Sequence, residues 1–165
     1  MKIDTLKELY VEELRDLYSA ETQSLKALPR MVRAANNVHL KEAFQSHLHE
    51  TEEQVQRLEQ IFAIVGATPK GRTCEGMKGL LKEADEWMDE DAEPDVMDAG
   101  LISAAQRVEH YEISGYGTVR THAELLGDEN AVELLEETLQ EEKAADARFG
   151  QVAIRINVEA NNRAA

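Results

Sequence analysis

Apolar residues recur at intervals of three and four along most of the chain. This spacing places them on one face of an α-helix and predicts four long amphipathic helices. The predicted helices run from about 4 to 35, from about 40 to 65, from about 95 to 126, and from 129 to about 160. Residues that commonly begin, break or end helices lie at the boundaries: Asp4, Asn36-Asn37, Gly66, Gly127 and Asp128. We expect the last residues, 161–165, to fray.

The connections between the predicted helices are short within each pair and long between the pairs. A short loop makes its two helices antiparallel neighbours, and this applies to the first pair and to the last. Residues 66–95 are long enough to cross from one end of a bundle to the other, and Met77, Leu81, Ala84 and Met88 predict a short amphipathic helix within them. The pattern therefore predicts an all-α, ferritin-like four-helix bundle, formed as a single domain over residues 1–165, with a short fifth helix in the crossover.

Composition and net charge limit the classes of molecule that this chain is expected to bind. The chain has 165 residues with only 5% aromatic residues, and its net charge is −15. Such a negative field repels phosphate backbones and anionic lipids, so we expect neither nucleic-acid nor membrane partners, whereas cations are compatible with it. Cys74 is the only cysteine, which excludes an internal disulfide. The N-terminus MKIDTLKELYVEEL has no apolar signal core and the chain has no apolar run of 18 residues, so we expect a cytoplasmic protein.

Acidic residues interrupt the apolar face of every long helix. Glu112 lies four residues after Val108 and four before Tyr116, in the middle of the apolar stripe of its helix. Counting from the loops places the acids of the four helices in two adjacent layers of the bundle. With one histidine beside them, the candidate ligands are Glu21, His47, Glu50, Glu109, Glu112, Glu142 and Asp146. His110 is next to Glu109 in sequence but is predicted to lie on the outer face of its helix.

A ring of inward-facing acids is explained most simply by metal ions. Burying an unpaired carboxylate costs several kcal/mol, and two divalent cations would neutralise such a ring. Oxygen ligands with one imidazole suit iron or manganese, so the predicted cofactors are two divalent metal ions, with Glu50 and Glu142 bridging them. The alternative is that the acids are structural and are satisfied by buried basic side chains and water.

Four segments of the chain resemble a known family. They are DLYSAETQ, SHLHETEEQ, AAQRVEHYEISGYGT and TLQEEKAAD, one in each predicted long helix. They are similar to the YciE/YciF-type stress proteins, which are ferritin-like helical bundles, and the resemblance extends over nearly the whole chain. It implies a homodimer of ferritin-like subunits with a role under stress.

The candidate ligands depart from the ferritin pattern, in which two helices each carry a Glu-x-x-His unit. The second helix has the reverse order, His47-x-x-Glu50, and the fourth has Ala145 where the histidine would follow Glu142. Glu109-x-x-Glu112 resembles the doubled glutamate of rubrerythrin-like helices. The sequence is therefore compatible with two functions. One is a di-metal site that handles oxidants or metal ions, with oxidase-like or peroxidase-like activity, and the other is a dimeric interaction protein with a vestigial, metal-free site.

Overall fold

The computed structural model describes residues 2–162, which form five helices and no strand. The helices are α1 (Leu6–Ala34), α2 (Val38–Val65), α3 (Glu75–Asp89), α4 (Pro94–Leu125) and α5 (Glu129–Asn162). The four predicted long helices are confirmed as α1, α2, α4 and α5, and the short crossover helix is confirmed as α3. No helix within the described residues is both long and apolar enough to cross a membrane.

The helix boundaries differ from the predicted ones by a few residues. Thr5, rather than Asp4, is the N-cap of α1. Its side chain accepts a hydrogen bond from the backbone N–H of Glu8, and the Glu8 carboxylate accepts one from the backbone N–H of Thr5. α2 begins at Val38, two residues before the predicted start, and is capped by the side chain of Asn37. It ends at Val65 and is followed by the C-cap Gly66, whose φ of 69° is the left-handed conformation that favours glycine.

The start and end of α5 give one confirmed and one wrong prediction. Asp128 Oδ1 accepts a hydrogen bond from the backbone N–H of Ala131 at 3.1 Å, which confirms Asp128 as a capping residue. Asn161 and Asn162 were predicted to fray but belong to the helix. The remainder of that predicted tail, 163–165, lies outside the described residues.

The helices pack as two pairs with α3 on one side. α1 packs on α2, α4 packs on α5, and further contacts join α1 to α4 and α2 to α5. The crossover helix α3 lies against α1 and α4, where Cys74, Met77 and Leu81 are buried. This arrangement encloses a central space lined by the inner faces of all four long helices.

Two apolar regions fill the ends of the bundle and leave its middle to polar residues. One region contains Phe44, Leu101 and Phe149, and the other contains Leu14, Phe62 and other apolar side chains of the same four helices. Along each long helix, the stretch between these regions carries the candidate ligands. The apolar ends therefore seal the acidic middle from both directions.

Candidate metal centre

Three helices bring four of the predicted ligands together in the middle of the bundle. His47 of α2, Glu109 and Glu112 of α4, and Glu142 of α5 each offer a ligand atom, and these atoms all lie within 4.8 Å of one another. All four side chains are buried, with at most 2% of their surface exposed. We call His47, Glu109, Glu112 and Glu142 the central cluster.

Glu21 of α1 lies beside the central cluster and is a further candidate ligand. Its side chain is fully buried, and its negative charge acts on both His47 and Glu112. The hydroxyl of Tyr116 donates a hydrogen bond to Glu21 Oε1, while Glu21 Oε2 has no hydrogen-bond partner. Tyr116 therefore fixes one carboxylate oxygen and leaves the other available.

The remaining two predicted ligands lie at the edge of the site. Arg148 Nη2 donates to Glu50 Oε1 at 2.9 Å, and Glu50 Oε2 is 3.5 Å from His47 Nδ1. The carboxylate of Asp146 accepts a hydrogen bond from Gln106 Nε2 at 2.9 Å. His110, which was predicted to face outward, is 69% exposed, and its Nε2 lies 3.3 Å from the Asp146 carboxylate. Glu50 and Asp146 do not join the central cluster, and their role as ligands stays a prediction.

Several buried polar atoms of the cluster lack a partner in the part of the chain that the structure describes. Among residues 2–162, both carboxylate oxygens of Glu142 and one oxygen each of Glu109 and Glu112 have no hydrogen-bond partner. His47 Nε2 lies 3.1 Å from Glu109 Oε1, which is within ion-pair distance, but neither ring nitrogen makes a well-oriented hydrogen bond. Buried polar atoms are normally paired, so this concentration of unpaired acceptors fits a site for cations.

Burial changes the proton affinity of these groups. It raises the pKa of Glu21 from 4.5 to about 7, against the lowering effects of the Tyr116 hydrogen bond and the charge of His47. Burial also raises the pKa of Glu109, Glu112 and Glu142 well above the usual value, and repulsion between neighbouring carboxylates adds to the effect. Without a cation, burial and mutual repulsion therefore favour the protonated forms of these glutamates.

His47 and its neighbour Glu50 favour their charged forms. Burial lowers the pKa of His47, but the nearby Glu50 carboxylate and the charges of Glu142 and Glu21 outweigh it, so the net pKa is raised. Burial raises the pKa of Glu50, but the contact with His47 and the hydrogen bonds from Arg148 lower it to about 2. Glu50 is therefore a carboxylate already neutralised by basic neighbours.

Sequence reasoning missed several buried polar residues, among them Ser24 and Gln54. Ser24 Oγ donates to Glu112 Oε1 at 3.3 Å, and Gln54 is fully buried with an unpaired Oε1. Helical spacing could have found both, because Ser24 follows Glu21 by three residues and Gln54 follows His47 by seven.

Outside the central cluster, an ion pair joins α2 to α5. Arg57 Nη1 and Nη2 donate to the two carboxylate oxygens of Glu141 at 2.6 and 2.7 Å.

Comparison with known proteins identifies the family. The model of a domain of unknown function, DUF892, matches residues 5–162. Protein YciF of Escherichia coli K12 is 43% identical over 166 residues, covering 99% of this chain and 100% of that protein. The crystal structure of the E. coli stress protein YciF superposes with a TM-score of 0.91 at 42% identity, covering 93% of this chain and 98% of that one.

Two further solved structures are similar. YcfI from Rhodopseudomonas palustris has a TM-score of 0.87 at 45% identity, covering 90% of this chain and 95% of that one. A ferritin-like, diiron-carboxylate protein from Bacillus anthracis has a TM-score of 0.71 over 92% of this chain and 99% of that one. Its identity is only 15%, so this likeness shows the fold alone. The chain therefore belongs to the DUF892 family and, as the sequence predicted, resembles YciF and has the ferritin-like all-helical fold.

Proposed function

We propose that this protein binds two divalent metal ions, iron or manganese, inside its helical bundle and uses them to handle oxidants or metal ions. The observation that carries the proposal is the central cluster, in which both oxygens of Glu142 and one oxygen each of Glu109 and Glu112 are buried without a hydrogen-bond partner among the described residues. Basic side chains do pair with acids nearby, as Arg148 does with Glu50, but no Arg or Lys within residues 2–162 makes such a pair with the acids of the central cluster. A cation is the simplest partner for them.

The residues of the central cluster would hold one ion, and Glu21 with its free Oε2 would extend the site to a second. Two adjacent redox metals supply the electrons needed to reduce dioxygen or peroxide. Glu109, Glu112 and Glu142 would release their protons when a cation enters, because carboxylates coordinate in their ionised form. Tyr116 and Ser24 would orient Glu21 and Glu112 through their hydrogen bonds.

The biological setting is proposed from the relatives. E. coli YciF is described as a stress protein, and we propose a role under stress for this chain as well. We also propose that the chain forms a homodimer. Ile154 and Val158 of α5 are 72% and 58% exposed, and an interface between two copies would cover such apolar side chains. Size-exclusion chromatography with light scattering would measure the mass, and a monomer at micromolar concentration would refute the dimer.

Elemental analysis of untagged protein purified without chelators tests the metal site. We expect about two equivalents of iron or manganese per chain after reconstitution. Glu142→Ala should abolish binding, because both carboxylate oxygens lie unpaired in the cluster, whereas the exposed His110→Ala should leave it intact. Glu50→Ala and Asp146→Ala decide whether these two predicted ligands contribute.

Thermal unfolding gives a second measurement. A metal that binds only the folded state raises the melting temperature, so Fe(II) or Mn(II) should stabilise the wild type and not Glu142→Ala. Identical melting curves with and without metal, together with metal contents near zero, would favour the alternative of a metal-free interaction protein.

A further inference from the structure

A second polar cluster lies where α3 packs on α1 and α4. The hydroxyl of Tyr111 donates a hydrogen bond to Asp16 Oδ2 at 2.7 Å. The thiol of Cys74, which is 1% exposed, lies 2.9 Å from the Tyr111 hydroxyl and 3.1 Å from Asp16 Oδ2. Tyr111 and Asp16 are partly exposed, so this cluster reaches the protein surface.

Sulfur atoms connect this cluster to the candidate metal centre. Cys74 caps α3 by accepting a hydrogen bond from the backbone of Met77 at 3.4 Å. Met77 is fully buried, and its Sδ lies 3.7 Å from Ser24 Oγ. Ser24 Oγ lies 3.3 Å from Glu112 Oε1 in the central cluster. Contacts therefore run without a gap from the partly exposed Tyr111 to a buried carboxylate of the candidate centre.

These side chains are better suited to electron transfer than to nucleophilic attack. Burial raises the pKa of the Cys74 thiol, which keeps it protonated and a poor nucleophile. Phenol, thiol and thioether are the side chains that lose electrons most readily after indole, and cysteine and methionine are common sites of oxidation. A tyrosine that loses an electron must also release its phenolic proton, and Asp16 Oδ2 already accepts a hydrogen bond from it.

We propose that Tyr111 is an electron relay between the metal centre and a small, neutral one-electron reductant, of the phenol or hydroquinone type, at the protein surface. This inference rests on the proposed function and adds the route by which electrons reach the site. Tyr111 gives one electron to the oxidised centre through Cys74 and Met77, and its phenolic proton passes to Asp16. The reductant then returns one electron to the tyrosyl radical, and Asp16 returns the proton. Two such cycles, with two protons from solvent, reduce one hydrogen peroxide to two waters.

The chain offers a matched control in Tyr18. Its hydroxyl also donates to a carboxylate, that of Glu59 at 2.9 Å, and Tyr18 is also partly exposed. The hydrogen bond of Tyr18 joins α1 to α2 and involves neither Cys74 nor Met77. Tyr18 therefore shares the carboxylate contact of Tyr111 and lacks its connection to the centre through sulfur.

The test uses the metal-loaded full chain, mixed with hydrogen peroxide and frozen for electron paramagnetic resonance. We expect a tyrosyl radical in the wild type and in Tyr18→Phe, and its loss in Tyr111→Phe. Asp16→Asn should also lower the radical yield, because the amide cannot take the phenolic proton. If Tyr111→Phe does not fold, the radical yield of Asp16→Asn decides the question instead. Trapping with a nitroso spin trap and peptide mapping should place the adduct on Tyr111.

Metal content measured on every variant separates the two proposals. A wild type that binds metal and consumes peroxide, but whose radical persists in Tyr111→Phe or maps to Tyr116, overturns the relay and leaves the proposed function standing. An equal loss of signal in Tyr18→Phe and Tyr111→Phe also overturns it. A chain that binds no metal overturns the proposed function, and the relay with it.

Discussion

Replacing Glu112 and Glu142 together by glutamine should stabilise the metal-free protein at pH 8. Both side chains are fully buried among other acids, and burial raises the pKa of each well above the usual value. A raised folded-state pKa means that the contribution to stability is complete below the unfolded pKa of about 4.5 and is lost as the pH rises through the folded value. Glutamine keeps the shape of the side chain and cannot ionise, so it removes this loss.

The neighbouring Glu21 indicates how large the change in the free energy of unfolding should be. Burial raises its pKa from 4.5 to about 7, and each pKa unit corresponds to about 1.36 kcal/mol, so ionising such a group at pH 8 costs the folded state ~3 kcal/mol. Glu112 and Glu142 are perturbed in the same direction by the same cause. Each buried amide without a partner costs ~2 kcal/mol, so two ionisation costs of ~3 kcal/mol less two amide costs leave a net gain of ~2 kcal/mol for the double variant at pH 8, and less at pH 6.

Urea denaturation of the metal-free wild type and double variant, at pH 6 and pH 8, measures these differences. Glu50→Gln is the control of opposite sign, because His47 and Arg148 lower the pKa of Glu50 to about 2 and its charge is stabilising at both pH values. We expect that control to be less stable than the wild type at both. A double variant that is also less stable at both pH values would show that Glu112 and Glu142 are paired with basic groups, and the reasoning would be refuted.

Three further results are expected. Metal affinity, measured by competition with a chelator, should be higher at pH 8 than at pH 6, because the cluster glutamates must lose protons to coordinate. Arg57→Ala should lower the free energy of unfolding by ~3 kcal/mol, because Arg57 is nearly buried and makes two hydrogen bonds to the Glu141 carboxylate. Arg57→Lys should restore only part of this free energy, because lysine cannot make both hydrogen bonds in the same geometry. Gly115→Ala should lower the free energy of unfolding by ~1–3 kcal/mol, measured by urea denaturation, since the new Cβ would lie 2.7 Å from Leu17 Cδ2. Gly117→Ala should raise it by up to ~1 kcal/mol, because a Cβ there would have no atom within 4 Å and alanine favours the helix.

The apolar pattern of the sequence was sufficient to predict the helices, because each depends mainly on residues close to it in the chain. The break at Asn36-Asn37 and the end of α2 at Gly66 follow from local capping and backbone preferences. The start of α1 could also have been found in the sequence, since Thr5 is followed three residues later by Glu8, the spacing of a capping box, whereas Asp4 is followed by Lys7.

The same pattern indicated which acids are buried. Glu21, Glu112 and Glu142 lie at positions where helical spacing expects apolar residues, and all three are fully buried. The sequence could not separate these acids from Glu50 and Asp146, whose positions on the helical wheel are similar. That separation depends on Arg148 and Gln106, which come from other helices and bind the two side chains at the edge of the site.

Contacts between distant segments were decided only by the tertiary structure. Asp16 and Tyr111 are 95 residues apart, and Cys74 is 37 residues from Tyr111. Each of them is unremarkable in its own helix or loop, so no spacing within the chain predicts that they meet. Helix formation depends on near neighbours, whereas these contacts depend on how α3 packs across α1 and α4, and that packing is fixed by the summed burial of many side chains.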